Sequence, residues 1–89
     1  MAEGRVKTIH DHAYQVLVDC LKKARQEAGL TQTDLAARLG TDQSYVSKYE
    51  RSERRLDVLE LRAICHEFGI TLPDFVNRFE KELRREGVS

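Results

Sequence analysis

The chain has 89 residues, of which 40% are hydrophobic and 34% charged, and its 15 basic residues balance its 15 acidic residues. This length fits one domain, so we expect a single module without a separate ligand-sensing or catalytic domain. The composition excludes a disordered chain, and the short apolar runs exclude a membrane span. The zero net charge excludes an overall basic field that would steer the chain to phosphate. We therefore predict a cytoplasmic protein that makes no contact with membranes.

The first ten residues, 1–10, lack a sustained apolar period, and we expect them to form a flexible N-terminus. From Asp11 onward apolar residues recur at helical spacing, and Gly29 supplies the stop. The sequence therefore predicts a first helix that begins at Asp11, within a folded domain that spans residues 11–86.

Two short helices are predicted on either side of Gly40, which can adopt the left-handed backbone conformation that ends a helix. The first covers about residues 32–39, with Thr31 as its N-cap, and Thr41 or Asp42 can cap the second. The outer side of the second helix carries four polar residues, which are Gln43, Ser44, Ser47 and Lys48. Glutamine pairs well with adenine, lysine pairs with guanine and serine suits either base, so this side can read base edges. The same pattern is also typical of a solvated helix face.

A loop of residues 51–56 without apolar period follows. Asp57 caps a fourth helix, which ends at Gly69, and Pro73 favours the start of a fifth helix that runs toward Arg85. The apolar stripe of this last helix continues to Phe79 and Leu83. Either a second copy of the helix packs there and forms a homodimer, or Phe79 folds back on the first helix.

The spacing of seven residues resembles the helix-turn-helix of the Cro and lambda-repressor type, also called the XRE family: Gln32, Leu35, Ala36, Gly40, Val46, Ser47 and Glu50. The likeness extends from Tyr14 to Phe79. It implies an all-α fold, a five-helix lambda-repressor-like DNA-binding domain with its helix-turn-helix at helices 2 and 3.

The resemblance also implies a function, that of a sequence-specific DNA-binding transcriptional regulator. A homodimer would place its recognition helices in the major groove of a pseudo-palindromic operator. The implied base contacts come from Gln43, Ser44, Ser47 and Lys48. The implied phosphate contacts come from Gln32, Tyr45, Arg51, Arg54 and Arg55. Arg25 and Glu50 resemble the pair that joins the first helix to the end of the recognition helix in this family.

An enzyme is the poorest fit, because no nucleophile, base and orienting group converge in the pattern. His10, His12 and His66 are scattered, so we expect no metal site, no cofactor and no small-molecule ligand. Cys20 and Cys65 lie on apolar helix faces and are expected to be buried thiols. The serious alternative is a protein-interaction module such as an antitoxin or an adaptor, which the neutral charge favours slightly.

Overall fold

A computed structural model describes the backbone of residues 2–87 and the side chains of residues 11–87. Within this range it contains five helices and no strand, which confirms the predicted all-α fold. The helices are α1 (Ala2–Glu27), α2 (Gln32–Leu39), α3 (Gln43–Glu50), α4 (Val58–Glu67) and α5 (Leu72–Arg85). None of them is long and apolar enough to cross a membrane.

The start of α1 at Ala2 shows that the start predicted at Asp11 is wrong. Apolar periodicity reports burial of one helix face, whereas helix formation requires only that backbone hydrogen bonding continue. Residues 2–10 contain Gly4 but no proline, and a glycine weakens a helix by only about 1 kcal/mol relative to alanine. Met1 lies outside the described residues, and the flexibility of residues 1–10 stays a prediction.

Side-chain caps fix where the short helices begin. Thr31 Oγ1 accepts a hydrogen bond from the Asp34 backbone amide at 3.0 Å, and the Asp34 carboxylate accepts one from the Thr31 amide at 3.0 Å. Asp57 starts α4 with the same reciprocal arrangement. At α3 the cap is Asp42, whose carboxylate accepts from the Tyr45 amide at 3.3 Å. These caps hold otherwise unpaired amides at the helix starts.

Gly40 separates α2 from α3, as predicted, and its φ of 72° lies in the left-handed region. A Cβ added at this position would meet no atom within 4 Å, so the turn requires glycine for its backbone conformation and not for space. Because the chain turns sharply here, α2 and α3 pack against each other with their N-terminal ends close together.

The core lies where α1, α2, α3 and the last two helices meet. Its buried residues are Tyr14, Val18, Leu21, Leu35, Ala36, Val46, Tyr49, Ile64, Cys65 and Phe75. Burial raises the pKa of the Cys65 thiol to about 11, so it packs as a small apolar side chain. Phe79 is half-buried against this core, which agrees with the alternative that it folds back into its own chain.

Candidate nucleic-acid interface

The outer side of α3 presents Gln43, Ser44 and Lys48 to solvent. Ser47 does not belong to this set, because only 9% of its surface is exposed and its Oγ accepts a hydrogen bond from Arg51 Nη1 at 2.7 Å. The expectation that Ser47 shares the exposed side is therefore wrong. The physical reason is that α3 packs against both α1 and α2, which widens its buried arc beyond one narrow stripe.

Behind α3, Arg25 and Glu50 form a buried ion pair that joins α1 to the last residue of α3. Arg25 Nε lies 2.7 Å from Glu50 Oε2, and Arg25 Nη2 lies 3.2 Å from Glu50 Oε1. Only 8% of the arginine side chain and 4% of the glutamate side chain are exposed. Arg25 Nη1 also donates to the carbonyl oxygen of Leu30 at 2.7 Å. The pair is thus bidentate and well supplied with hydrogen bonds, as a buried pair must be to offset its desolvation.

Two glutamines continue this pair toward the surface. Gln32 Nε2 donates to Glu50 Oε1 at 2.8 Å, and Gln43 Nε2 donates to Gln32 Oε1 at 2.6 Å. We call the connected residues Arg25, Glu50, Gln32 and Gln43 the polar chain. It runs from the buried ion pair to an exposed residue at the start of α3. The family resemblance predicts the pair of Arg25 and Glu50, but Gln32 and Gln43 are marked only singly. Their connection to the pair depends on how α2 and α3 pack and has no signal in the linear pattern.

The loop of residues 51–56, which we call the arginine loop, follows α3 directly. Its first residue, Arg51, donates from Nε and Nη2 to the two carboxylate oxygens of Glu53, both at 3.1 Å. Its third nitrogen, Nη1, holds Ser47. The hydrogen bonds from Arg51 hold the pKa of Glu53 below its ordinary value. Arg51 therefore has all three guanidinium nitrogens occupied within the described part of the chain.

Arg54 is held by α3 and α4. Its Nη2 donates to Glu60 Oε2 at 2.6 Å, and its guanidinium carbon lies 4.8 Å from the centre of the Tyr45 ring. The Tyr45 hydroxyl donates to the same Glu60 oxygen at 3.0 Å. Tyr45 is half-buried, and its hydroxyl, a predicted phosphate contact, is thus paired with a carboxylate in the free protein.

Arg55 is held by α1. Its Nη2 donates to Asp11 Oδ1 at 2.8 Å, and its guanidinium carbon lies 4.4 Å from the centre of the Tyr14 ring. The Tyr14 hydroxyl donates to the carbonyl oxygen of Arg54 at 2.6 Å. Sequence reasoning missed Asp11 and Tyr14 as neighbours of the loop, because 44 positions separate Asp11 from Arg55.

Lys48 differs from the arginines, since it forms no ion pair with any residue that the structure describes. Ser44 donates its hydroxyl to Asp42 Oδ1 at 2.6 Å, which ties it to the helix cap. Among the described residues, no group of three histidine, cysteine or acidic side chains lies close enough to hold a metal ion. The exposed side of α3 and the arginine loop thus form one polar surface with hydrogen-bond donors of two kinds, amide and basic.

Two short helices that meet at a left-handed glycine, the second with an exposed polar side, define a helix-turn-helix domain. A family model described as helix-turn-helix matches residues 21–75. An XRE-family like protein from Pseudomonas syringae pv. tomato is 47% identical in a solved structure, with a TM-score of 0.79 over 88% of this chain and 95% of that one. The chain belongs to the XRE family of helix-turn-helix DNA-binding regulators.

Two further relatives are controller proteins. Control protein C.MunI from a Mycoplasma species is 36% identical over 63 residues, which cover 70% of this chain and 85% of that protein. The restriction-modification controller protein C.Esp1396I, solved as a tetramer in complex with its natural 35 base-pair operator, is 31% identical. Its TM-score is 0.73, and the match covers 80% of this chain and 93% of that one.

Proposed function

We propose that the protein is a sequence-specific DNA-binding transcriptional regulator that places α3 in the major groove of its operator. The polar chain carries this proposal, since it supports the exposed Gln43 from a buried ion pair. A side chain that is already ordered loses less entropy when it binds a base edge. Gln43 suits adenine, Lys48 suits guanine, and Ser44 suits either. The operator complex of the related controller protein supports this reading.

Phosphate contacts flank the base contacts in this proposal. Gln32 lies at the start of α2, where its free amide hydrogen and the helix amides would meet a phosphate. The arginine loop lies at the other end of α3 and would contribute Arg51, Arg54 and Arg55. Tyr45 and Ser47 contact these arginines directly: the Tyr45 ring packs against the Arg54 guanidinium, and the Ser47 hydroxyl accepts a hydrogen bond from Arg51. Because Arg51, Arg54 and Arg55 are each paired with a carboxylate, we expect a moderate salt dependence, set by a few phosphates per subunit.

The functional unit in this proposal is a homodimer bound to double-stranded DNA. Two copies of α3 would enter successive major grooves about 34 Å, or about 10 base pairs, apart, which a pseudo-palindromic site matches. Leu83, half-buried near the end of α5, is the residue we propose for the contact between copies, and Phe79 would contribute only the part that its own core leaves exposed. Operator DNA as the ligand agrees with the cytoplasmic location that the sequence predicts, which stays a prediction.

Selection of bound sequences from a random DNA pool tests the function directly. A pseudo-palindromic sequence should be enriched and should bind the wild-type protein tightly. The double variant Gln43→Ala, Lys48→Ala should then bind the selected sequence at least about tenfold more weakly, since each base contact is worth about 1 to 3 kcal/mol. The matched control is Asn77→Ala, Lys81→Ala, which removes one amide and one charge from α5. Equal binding by the two double variants would show that α3 does not read bases through these residues.

The dimer is tested by light scattering on Leu83→Glu. We expect the mass to fall from twice the chain mass to the 10.3 kDa of one chain, because a carboxylate would be buried without a partner. Asn77→Glu adds the same charge at an exposed position of α5 and should leave the dimer intact. A dimeric Leu83→Glu variant would rule out this contact.

A protein-interaction module, such as an antitoxin or an adaptor, is the second candidate function. Val58 and Leu59 at the start of α4 favour it, since 61% and 74% of their surfaces are exposed. Exposed apolar side chains beside each other are typical of protein contacts. Failure to enrich any DNA sequence at low salt would favour this function over DNA binding.

A further inference from the structure

Tyr14 touches the arginine loop with both ends of its side chain. Only 8% of its surface is exposed, so α1 and the core fix its position. Its ring lies under the Arg55 guanidinium at 4.4 Å, and its hydroxyl holds the Arg54 carbonyl oxygen at 2.6 Å. Asp11, from the preceding turn of α1, holds Arg55 Nη2 at 2.8 Å. The first helix therefore determines both the backbone and one guanidinium of the loop.

The two arginines held in this way keep free donors. Within the described residues, Arg54 and Arg55 each use only Nη2 in hydrogen bonds to carboxylates, which leaves Nε and Nη1 of each available. By contrast, Arg51 uses all three nitrogens. The side chains of Arg54 and Arg55 are 43% and 56% exposed, so a ligand can reach them.

A concavity of about 370 Å³ opens beside these groups. It is lined by Tyr14, Gln15, Ser52, Arg54 and Arg55, and by two carboxylates that are already paired, Asp11 with Arg55 and Glu53 with Arg51. The unused N–H groups of Arg54 and Arg55 beside this concavity match the acceptor oxygens of a phosphate group, whereas the Ser52 hydroxyl already donates to Gln15 Oε1 at 2.8 Å. Aromatic support keeps each guanidinium plane in one orientation, and a pre-organised arginine loses less freedom on binding.

We propose that Tyr14 is a positioning residue that orders Arg54 and Arg55 as a two-arginine clamp for a phosphate of the DNA backbone. The inference rests on the proposed function, because the phosphate belongs to operator DNA. It also separates the loop arginines by role. Arg54 and Arg55 form the clamp with donors that are already free, whereas Arg51 holds Ser47 and reaches a phosphate only by releasing Glu53.

The test measures operator affinity across a range of salt concentrations for Tyr14→Leu, Tyr14→Phe, Arg55→Ala and the double variant Tyr14→Leu, Arg55→Ala. All are compared at a temperature where circular dichroism shows each variant to be folded. Arg55→Ala should lower the slope of log affinity against log salt by about 1 per subunit, the effect of one lost phosphate contact. Tyr14→Leu should lower the slope equally, and the double variant should show no further loss.

Tyr14→Phe keeps the ring under Arg55 and should keep the wild-type salt slope, with affinity weakened by no more than about fivefold, the equivalent of one hydrogen bond. The stability control is Phe75→Leu, which alters a fully buried core residue of α5 and should lower the melting temperature without changing the slope. A merely structural role for Tyr14 predicts that Tyr14→Leu behaves like Phe75→Leu.

A wild-type slope in Tyr14→Leu, or additive losses in the double variant, would overturn the clamp while operator binding by the wild-type protein stands. A wild-type protein that selects no DNA sequence would overturn the proposed function, and the clamp with it. The salt slope thus distinguishes the two failures.

Discussion

The polar chain and the arginine loop both adjoin α3, and each contains a bidentate arginine–glutamate pair in a different setting. In the polar chain, the Arg25 and Glu50 side chains are 8% and 4% exposed, and their closest atoms are 2.7 Å apart. In the loop, the Arg51 and Glu53 side chains are 58% and 55% exposed, and their closest atoms are 3.1 Å apart. The distances are similar, so burial is the main difference between the two pairs.

Burial decides what each pair contributes. Two buried charges have lost their hydration, so each depends on the other, and the pair fixes the position of anything attached to it. Exposed charges remain hydrated and screened by salt, so a carboxylate can be exchanged for a phosphate at little cost. We infer that the polar chain provides geometry for base reading and the arginine loop provides exchangeable attraction to the DNA backbone.

Glu50→Ala tests the buried side of this comparison and should have the largest effect. It leaves Arg25 buried without its partner, so unfolding free energy should fall by about 3 to 5 kcal/mol, as measured by thermal or urea denaturation. Glu53→Ala removes the corresponding carboxylate from the exposed pair and should leave the melting curve nearly unchanged. If both variants melt alike, burial does not distinguish the two pairs.

Gln32→Ala cuts the polar chain between its buried and exposed parts. Gln43 would lose its amide partner, so affinity for the operator should fall by about tenfold, which corresponds to one hydrogen bond and the ordering it provides. Discrimination at the base that Gln43 reads should weaken as well, which binding to single-base operator variants would show. Gln26→Ala, an exposed glutamine on α1, is the control for loss of a surface amide. Unchanged base discrimination in Gln32→Ala would mean that the polar chain does not support base reading.

Sequence patterns predicted the parts of this molecule that depend on near neighbours. The capping residue Thr31, the turn at Gly40 and the starts of α2 to α5 follow from chemistry within a few positions. The predicted start of α1 is wrong because apolar periodicity marks only the stretch of a helix that has a regular apolar face, whereas the helical backbone begins at Ala2. Ser47 is buried because two neighbouring helices cover α3, whereas the pattern of a short helix predicts only one inward stripe.

The contacts that hold the arginine loop are distant in sequence and were not predicted. Tyr14 and Asp11 reach the loop only because α1 passes beside the end of α3. Nothing in their local sequence marks a tyrosine that supports an arginine. Arg25 and Glu50, also distant, were paired only through the resemblance to a family.

A third and smaller test varies the pH. It concerns Asp42, an exposed carboxylate that is stabilised mainly by hydrogen-bond donors. The Ser44 hydroxyl and then the Tyr45 amide hold the pKa of Asp42 below its ordinary value of 3.8. A lowered folded-state pKa contributes stability above the ordinary value, and this contribution is lost as pH falls through the lowered value. The melting temperature of Asp42→Asn, which keeps a capping side chain, should therefore fall less than that of the wild type from about pH 5 to about pH 2. Equal falls would exclude this contribution.

The smallest expected effect concerns the hydroxyl of Tyr49 in α3, which is buried without a hydrogen-bond partner among the described residues. Tyr49 is 0% exposed, and its hydroxyl makes no hydrogen bond to any residue that the structure describes. Burial raises the pKa of this phenol, which keeps it neutral. Tyr49→Phe removes the unpaired group and retains the edge-on ring contact with Tyr45, whose centroid lies 6.0 Å away. Unfolding free energy should rise by at most about 1 kcal/mol.

Tyr45→Phe is the matched comparison, since it removes a hydroxyl that donates to Glu60 at 3.0 Å. Denaturation should show a loss of stability for Tyr45→Phe and a gain for Tyr49→Phe, although both substitutions delete the same atom. A loss in both would mean that the Tyr49 hydroxyl is hydrogen-bonded in solution, for which a buried water is the partner of suitable size. The same rule would then hold at Tyr49 as in the polar chain, where buried polar atoms stabilise the fold only when they are paired.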